Sequence, residues 1–173
     1  MTDEQLQFRE FFIREYERLC RLGLLLTGDA HLGEELAQDA LVRTFWAWPR
    51  VRRMEQPSAY ARQILVNRRR SLLRRRLVEA THAWRLRREE VDRPNLGEEA
   101  MVLWAAVRKL PERQRMVLVL RYHEDLSEAE VARLLHLSVG AVKALTHRGI
   151  SRLRVDLGRA ADEQASIPRR EGP

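Results

Sequence analysis

The apolar residues of this chain recur every three or four positions almost from end to end, and no run alternates apolar with polar residues for long enough to make a strand. The fold class this dictates is all-α. Phe8, Phe12, Tyr16 and Leu19 form the stripe of a first helix, with Asp3 placed to cap it. Gly28-Asp29 and Gly33 read as a turn. The pattern predicts a second helix from about Leu32 to Trp48, stopped by Pro49. Residues 50–57 read as a basic loop ending in Pro57. Ser58 then caps a third long helix through Tyr60, Ile64, Leu65, Leu72 and Leu73. That helix can run past Arg76, because neither Gly nor Pro follows until Pro94.

Asp92-Arg93-Pro94-Asn95-Leu96-Gly97 is the natural break, and it divides the chain into two small helical domains joined by a linker. Beyond it Met101, Val102, Ala105 and Leu110 make one helix, ended by Pro111, which also opens the next. Val117, Leu118 and Leu120 belong to that next helix, which ends near His123-Glu124-Asp125. The expected organisation is a first domain over 1–76, a linker over 77–97, a second domain over 98–157 and a polar, disordered tail over 158–173. Cys20 is the only cysteine, so an internal disulfide is excluded, and its spacing with Tyr16 and Leu19 makes it a core residue. No apolar run reaches the roughly 18 residues that span a bilayer, and the acidic N-terminus is unlike a signal peptide. A cytoplasmic protein without membrane insertion is the expectation.

Charge separates the chain further. Residues 1–42 carry nine carboxylates against four arginines, a net of −5, whereas residues 50–76 carry ten arginines against one glutamate, a net of +9. Adjacent blocks of opposite sign suit two partners, one basic and one polyanionic. The plainer reading, a solvated helix face, has to explain how ten arginines tolerate one another without an anion.

Residues 127–155 have the pattern of a helix-turn-helix. Ser127 with Glu130 forms a capping box, and Val131, Leu134 and Leu135 give a short helix. His136-Leu137-Ser138 is a turn of the length this motif uses, and Ser138 can cap a second helix with Val142, Ile150 and Leu153 on its inner side. Lys143, His147, Arg148 and Arg152 then face outward, able to reach phosphates and base edges in a major groove.

Specific runs carry a family resemblance. Leu110-Pro111-Glu112-Arg113-Gln114-Arg115, Leu120-Arg121-Tyr122, Leu126-Ser127, Glu130-Val131-Ala132, Ser138-Val139-Gly140-Ala141-Val142-Lys143 and Arg152-Leu153-Arg154 resemble region 4 of the extracytoplasmic-function sigma factors. The resemblance implies that Ser138, Gly140, Ala141, Lys143, Ala144, His147, Arg148 and Arg152 read the minus-35 promoter element. Leu145, Thr146 and Gly149 depart from the usual pattern, and Gly149 is expected to cost about 1 kcal/mol of helix propensity.

Glu34-Glu35-Leu36-Ala37-Gln38-Asp39, followed by Leu41, Arg43 and Phe45, resembles region 2.2, which in the family docks on the β′ subunit of RNA polymerase. The periodicity places Leu36, Ala37, Ala40, Leu41, Thr44 and Phe45 inward. Glu35, Gln38, Asp39, Val42 and Trp46 are left on the other side as a candidate polymerase-binding face. Pro57, Tyr60, Ile64, Asn67 and Arg74-Arg75 resemble the stretch that binds and opens the minus-10 element, with Ser71 where an acidic residue is usual. Arg52, Arg53, Tyr60, Arg62, Asn67, Arg68, Arg69, Arg70, Arg74 and Arg75 are the candidates there, since opening DNA needs positive charge along the backbone and a surface for an unstacked base.

The function implied is a sigma factor that binds core RNA polymerase through β′ and β and directs initiation at promoter DNA, with room for an anti-sigma partner. It takes no small-molecule substrate, cofactor or metal: the chain has no phosphate-binding Gly-rich loop, no Cys/His set and no HExxH, and its five histidines lack ligand spacing. A stand-alone helix-turn-helix regulator is the alternative, although it would not need the dense charge of residues 50–76. A nucleic-acid-modifying enzyme would need a nucleophile that the sequence does not offer.

Overall fold

A computed structural model describes residues 2–79 and 98–165, with side chains at 2–72 and 101–159. All the regular structure among them is helical: α1 (Asp3–Thr27), α2 (Ala30–Trp46), α3 (Trp48–Val51), α4 (Pro57–Glu79), α5 (Glu98–Lys109), α6 (Glu112–Leu118), α7 (Glu128–Leu135) and α8 (Val139–Ala165). A π-helical turn, Val119–His123, extends α6. The helices form two clusters, α1–α4 and α5–α8. The expected linker of 77–97 lies largely outside the described residues, as does the tail from 166.

Several local expectations are corrected. Thr2, not Asp3, caps α1: its Oγ accepts from the Gln5 N–H at 3.4 Å, and the Gln5 side chain accepts from the Thr2 N–H at 2.8 Å. Asp3 instead accepts from the Gln7 side chain. Gly28 does make the turn, as a left-handed C-cap at φ 79°, a conformation glycine adopts without strain. Gly33 does not; it lies inside α2, which Asp29 caps through the Leu32 N–H. Pro49 does not end α2. That helix stops at Trp46, and Pro49 sits in the first turn of α3, where its missing N–H costs nothing. Ser58 does not cap α4, which opens on Pro57; its hydroxyl donates at 2.7 Å to the buried Glu15 of α1. Pro111 is the N-cap residue before α6. Gly158 does not end α8, which continues to Ala165.

Gly23 and Gly33 explain how α1 and α2 fit together. A Cβ built on Gly23 would lie 2.3 Å from the carbonyl oxygen of Gly33, and one on Gly33 would lie 2.5 Å from the backbone nitrogen of Leu24. The two backbones therefore touch where they cross, and no larger residue fits. Around this point Leu19, Leu22, Leu26, Leu36, Ala37, Ala40 and Leu41 close the first core with Leu65 and Val66 of α4. Trp48 seals one end, its ring 5.0 Å from that of Phe11 and 5.2 Å from that of Phe8.

The second core gathers Met116, Val117, Leu120, Val131, Leu135 and Val142. Gly149 has a structural reason here: a Cβ would lie 2.8 Å from the Leu118 side chain. The helix-propensity loss expected from the sequence thus accompanies a close approach of α6 to α8.

Gly33→Ala should lower stability by about 1–3 kcal/mol, because overpacking against a backbone outweighs the gain of about 1 kcal/mol in helix propensity. Gly158→Ala, whose Cβ meets nothing within 4 Å, should show no such loss. Thermal unfolding of the two variants checks this.

Candidate polymerase and nucleic-acid surfaces

The inner side of α2 is fixed by the first core, so its outer side is fixed as well. Glu35 and Gln38 are exposed, Val42 is 54% exposed and Trp46 78%. Glu35 lies 3.3 Å from His31 one turn away, and the Gln38 amide donates to Glu34, which also accepts from the Tyr16 hydroxyl at 2.7 Å. Asp39 is half-buried and tied down: it accepts from Arg43 at 2.9 Å and from Arg68 of α4 at 2.7 Å. The five candidates therefore share one side of the helix, with Asp39 turned towards α4.

Sequence periodicity missed part of this surface. Phe45, expected inside, is 43% exposed, its ring 4.9 Å from Phe8 and 6.1 Å from Trp46. Phe8 leads on to Phe12, which stacks on Tyr16 at 5.2 Å. A ladder of rings thus runs across α1 and α2, beside the exposed Ile13. The signal was present in the adjacency of Phe12 and Ile13, since two neighbouring helical residues cannot both face one core.

The basic block is more internally neutralised than its composition implied. Arg52 pairs with Glu4 at 3.1 Å, Arg68 with Asp39, and Arg62 with Glu124 at 3.0 Å. Arg69, only 2% exposed, pairs with Glu112. The Arg50 guanidinium lies 5.6 Å over the Tyr60 ring, and Arg70 donates to the exposed Asn67 at 3.3 Å. Arg53 is exposed. The side chains of Arg74 and Arg75 lie outside the described residues. Carboxylates from other helices therefore offset charge that the sequence alone suggested an external anion must balance.

In the helix-turn-helix, α7 is capped by a complete box. The Ser127 hydroxyl accepts from the Glu130 N–H at 3.2 Å, and Glu130 accepts from the Ser127 N–H at 2.7 Å and from its hydroxyl at 2.6 Å. The Ser127 side chain first, then its backbone N–H, hold the Glu130 carboxyl below its ordinary pKa. His136 closes α7 in the left-handed region at φ 53°, and Ser138 caps α8 by accepting from the Ala141 N–H at 3.1 Å. Val142 is fully buried, with Ile150 and Leu153 partly so. Lys143, His147, Arg148 and Arg152 are exposed along the opposite side; Ser138 and Gly140 are exposed at its start, and Ala141 and Ala144 are half-buried. Lys143 stands 3.7 Å from Glu128.

Fold and surfaces together define a two-unit, helix-turn-helix protein with a basic recognition helix and a separate acidic and aromatic face. The model of the family Sigma-70 region 2 matches residues 11–77, and that of Sigma-70, region 4 matches residues 100–153. The RNA polymerase sigma-E factor of Streptomyces coelicolor is 32% identical over 89% of this chain and 88% of its own length. The ECF RNA polymerase sigma factor ShbA of Streptomyces griseus is 34% identical over 79% of this chain and 78% of its own. Among solved structures, the sigma factor RpoE in its complex with the anti-sigma factor NepR from Bartonella quintana matches with a TM-score of 0.69. It is 21% identical and covers 88% of this chain and 97% of its own, a likeness of fold.

This chain belongs to the extracytoplasmic-function sigma factors of the sigma-70 family. It binds core RNA polymerase and directs transcription initiation; it is not an enzyme. The stand-alone regulator considered from the sequence is thereby set aside. Among the described residues, no helix is long and apolar enough to cross a membrane, and no cluster of His, Cys, Asp and Glu could hold a metal ion.

Ser127→Ala should destabilise the chain by about 1 kcal/mol, read as a lower Tm. The contribution of Glu130 to that cap is present above its unfolded-state pKa and is lost as pH falls through the lowered folded one, because the folded protein binds the proton less readily. Between the Tm profiles of wild type and Ser127→Ala, the gap should therefore narrow in acid.

Proposed function

We propose a division of labour between the two units. The first docks on the β′ subunit through Glu35, Gln38, Asp39, Val42 and Trp46, and engages the minus-10 element through the arginines and Tyr60 of the basic block. The second reads the minus-35 duplex with the outer side of α8, from Ser138 to Arg152. A partner that is polymerase and promoter makes the cytoplasm the place of action. An anti-sigma factor, as in the RpoE–NepR complex, is a further partner compatible with this reading.

The observation that carries the docking assignment is the exposure of Trp46 and Val42 beside Glu35 and Gln38. Large apolar side chains left in water within a polar rim have the anatomy of an interface, and tryptophan is over-represented among residues that dominate binding. Gln38→Ala together with Trp46→Ala should weaken core binding by at least about tenfold, a loss typical of one interface anchor, while helicity stays unchanged. Core affinity equal to wild type in a pull-down would move the docking surface elsewhere.

For the basic block, Arg68 and Arg70 are the informative pair, since Arg69 is buried against Glu112. Holoenzyme carrying Arg68→Ala and Arg70→Ala should initiate poorly on a duplex promoter. It should recover partly on a template with a pre-melted minus-10 bubble, where unstacking worth a few kcal/mol is already supplied. Equal defects on both templates would assign these arginines to general backbone affinity.

A further inference from the structure

Glu124 is the one acidic side chain of the second unit that reaches two helices of the first. The π-helical turn at Val119–His123 and the left-handed Asp125 (φ 51°) that follows it aim Glu124 inward, and it is buried. One carboxylate oxygen accepts from Arg18 of α1 at 3.1 Å and from Arg62 of α4 at 3.0 Å. Within its own unit the charged neighbour is His123, 3.9 Å from the other oxygen. Burial holds that imidazole below its ordinary pKa, so it is neutral at neutral pH and brings no positive charge. The compensation for the buried carboxylate comes from across the unit boundary.

Two further ties lie on the same boundary. Glu112, the first residue of α6, pairs with the buried Arg69 of α4. Arg115 donates at 3.2 Å to the carbonyl of Thr27, the last residue of α1, and at 3.2 Å to the carbonyl of Arg108 in α5. It thereby supplies the positive charge that the last turn of α1 lacks. Interfaces of this kind separate readily, because ion pairs withdrawn from water gain little over the same ions hydrated or paired elsewhere.

We propose that this packed arrangement is a self-masked state of the chain. In it, Glu124 and Glu112 of the second unit occupy the guanidinium groups of Arg62 and Arg69, which separation of the units releases to nucleic-acid phosphates. The proposal rests on the reading that arginines of α4 contact promoter DNA. Carboxylate and phosphate compete for the same donors, so closure and full engagement of DNA by α4 exclude each other. Arg53, on the exposed side of the block, stays accessible in the closed state, which therefore keeps weak DNA affinity rather than none.

The test uses the full chain with Glu124→Gln and, separately, Arg18→Gln, which removes the other side of the latch at a residue outside the proposed DNA surface. Circular dichroism checks that both fold. Small-angle scattering reads the radius of gyration, and fluorescence anisotropy reads binding of a fluorescein-labelled single-stranded oligonucleotide. Both variants should be more expanded than wild type and should bind the oligonucleotide at least about fivefold more tightly, the lower end of coupling between sites. Arg18→Gln is the decisive arm: it removes positive charge, so a tighter complex can arise only from opening. An unchanged radius in both variants overturns the latch, including the case in which Glu124→Gln alone binds more tightly, as simple loss of a negative charge would produce. Expansion without tighter binding leaves the contact standing but overturns the masking, and with it the assignment of the α4 arginines to DNA.

Discussion

A charge taken out of water must find its counterpart, and in this chain that requirement joins elements distant in sequence. Glu15, Arg69, Arg115 and Glu124 are all buried. Each is met by a group from another helix: Ser58, Glu112, the carbonyls of Thr27 and Arg108, and Arg18 with Arg62. Leaving any one without its partner would cost several kcal/mol, so the positions of α1, α4 and α6 are mutually dependent. The apolar cores stabilise each unit. The buried charges decide how the units meet.

The same pairing changes the meaning of the basic block. Ten arginines over residues 50–76 suggest a surface awaiting a polyanion. In the folded chain Glu4, Asp39, Glu112 and Glu124 answer four of them. Asp39 does so from the polymerase-facing side of α2, so the proposed docking face and the proposed minus-10 surface share an ion pair. A partner that engaged Asp39 would alter the surroundings of Arg68 without touching DNA.

Much of the fold was legible because local chemistry specified it. The Ser127 capping box, the turn at His136 and the Ser138 cap are each written within a few residues, and all three stand where the sequence put them. The division of α2 into inner and outer sides followed from helical spacing, apart from Phe45, whose ring lies on Phe8 at the rim of the core. What was not legible depended on contacts between distant residues. Gly33 looked like a turn residue because nothing local reveals that another helix crosses against its backbone. Ser58 looked like a cap because its acceptor, Glu15, is 43 residues away. Glu124 gave no signal, since its partners are 62 and 106 residues distant.

The π-helical turn before Glu124 has an implication for how such chains diverge. A π turn is an α-helix that accommodates one residue more than its regular winding. Loss of a single residue anywhere in Val119–His123 would restore the regular winding and rotate everything after it by about 100° around the axis. The carboxylate would then leave α1 and α4, while the caps of α7 and α8, specified by their own residues, would survive. A one-residue deletion at this point is thus a route by which a descendant could keep its helix-turn-helix intact and lose the coupling between its two halves.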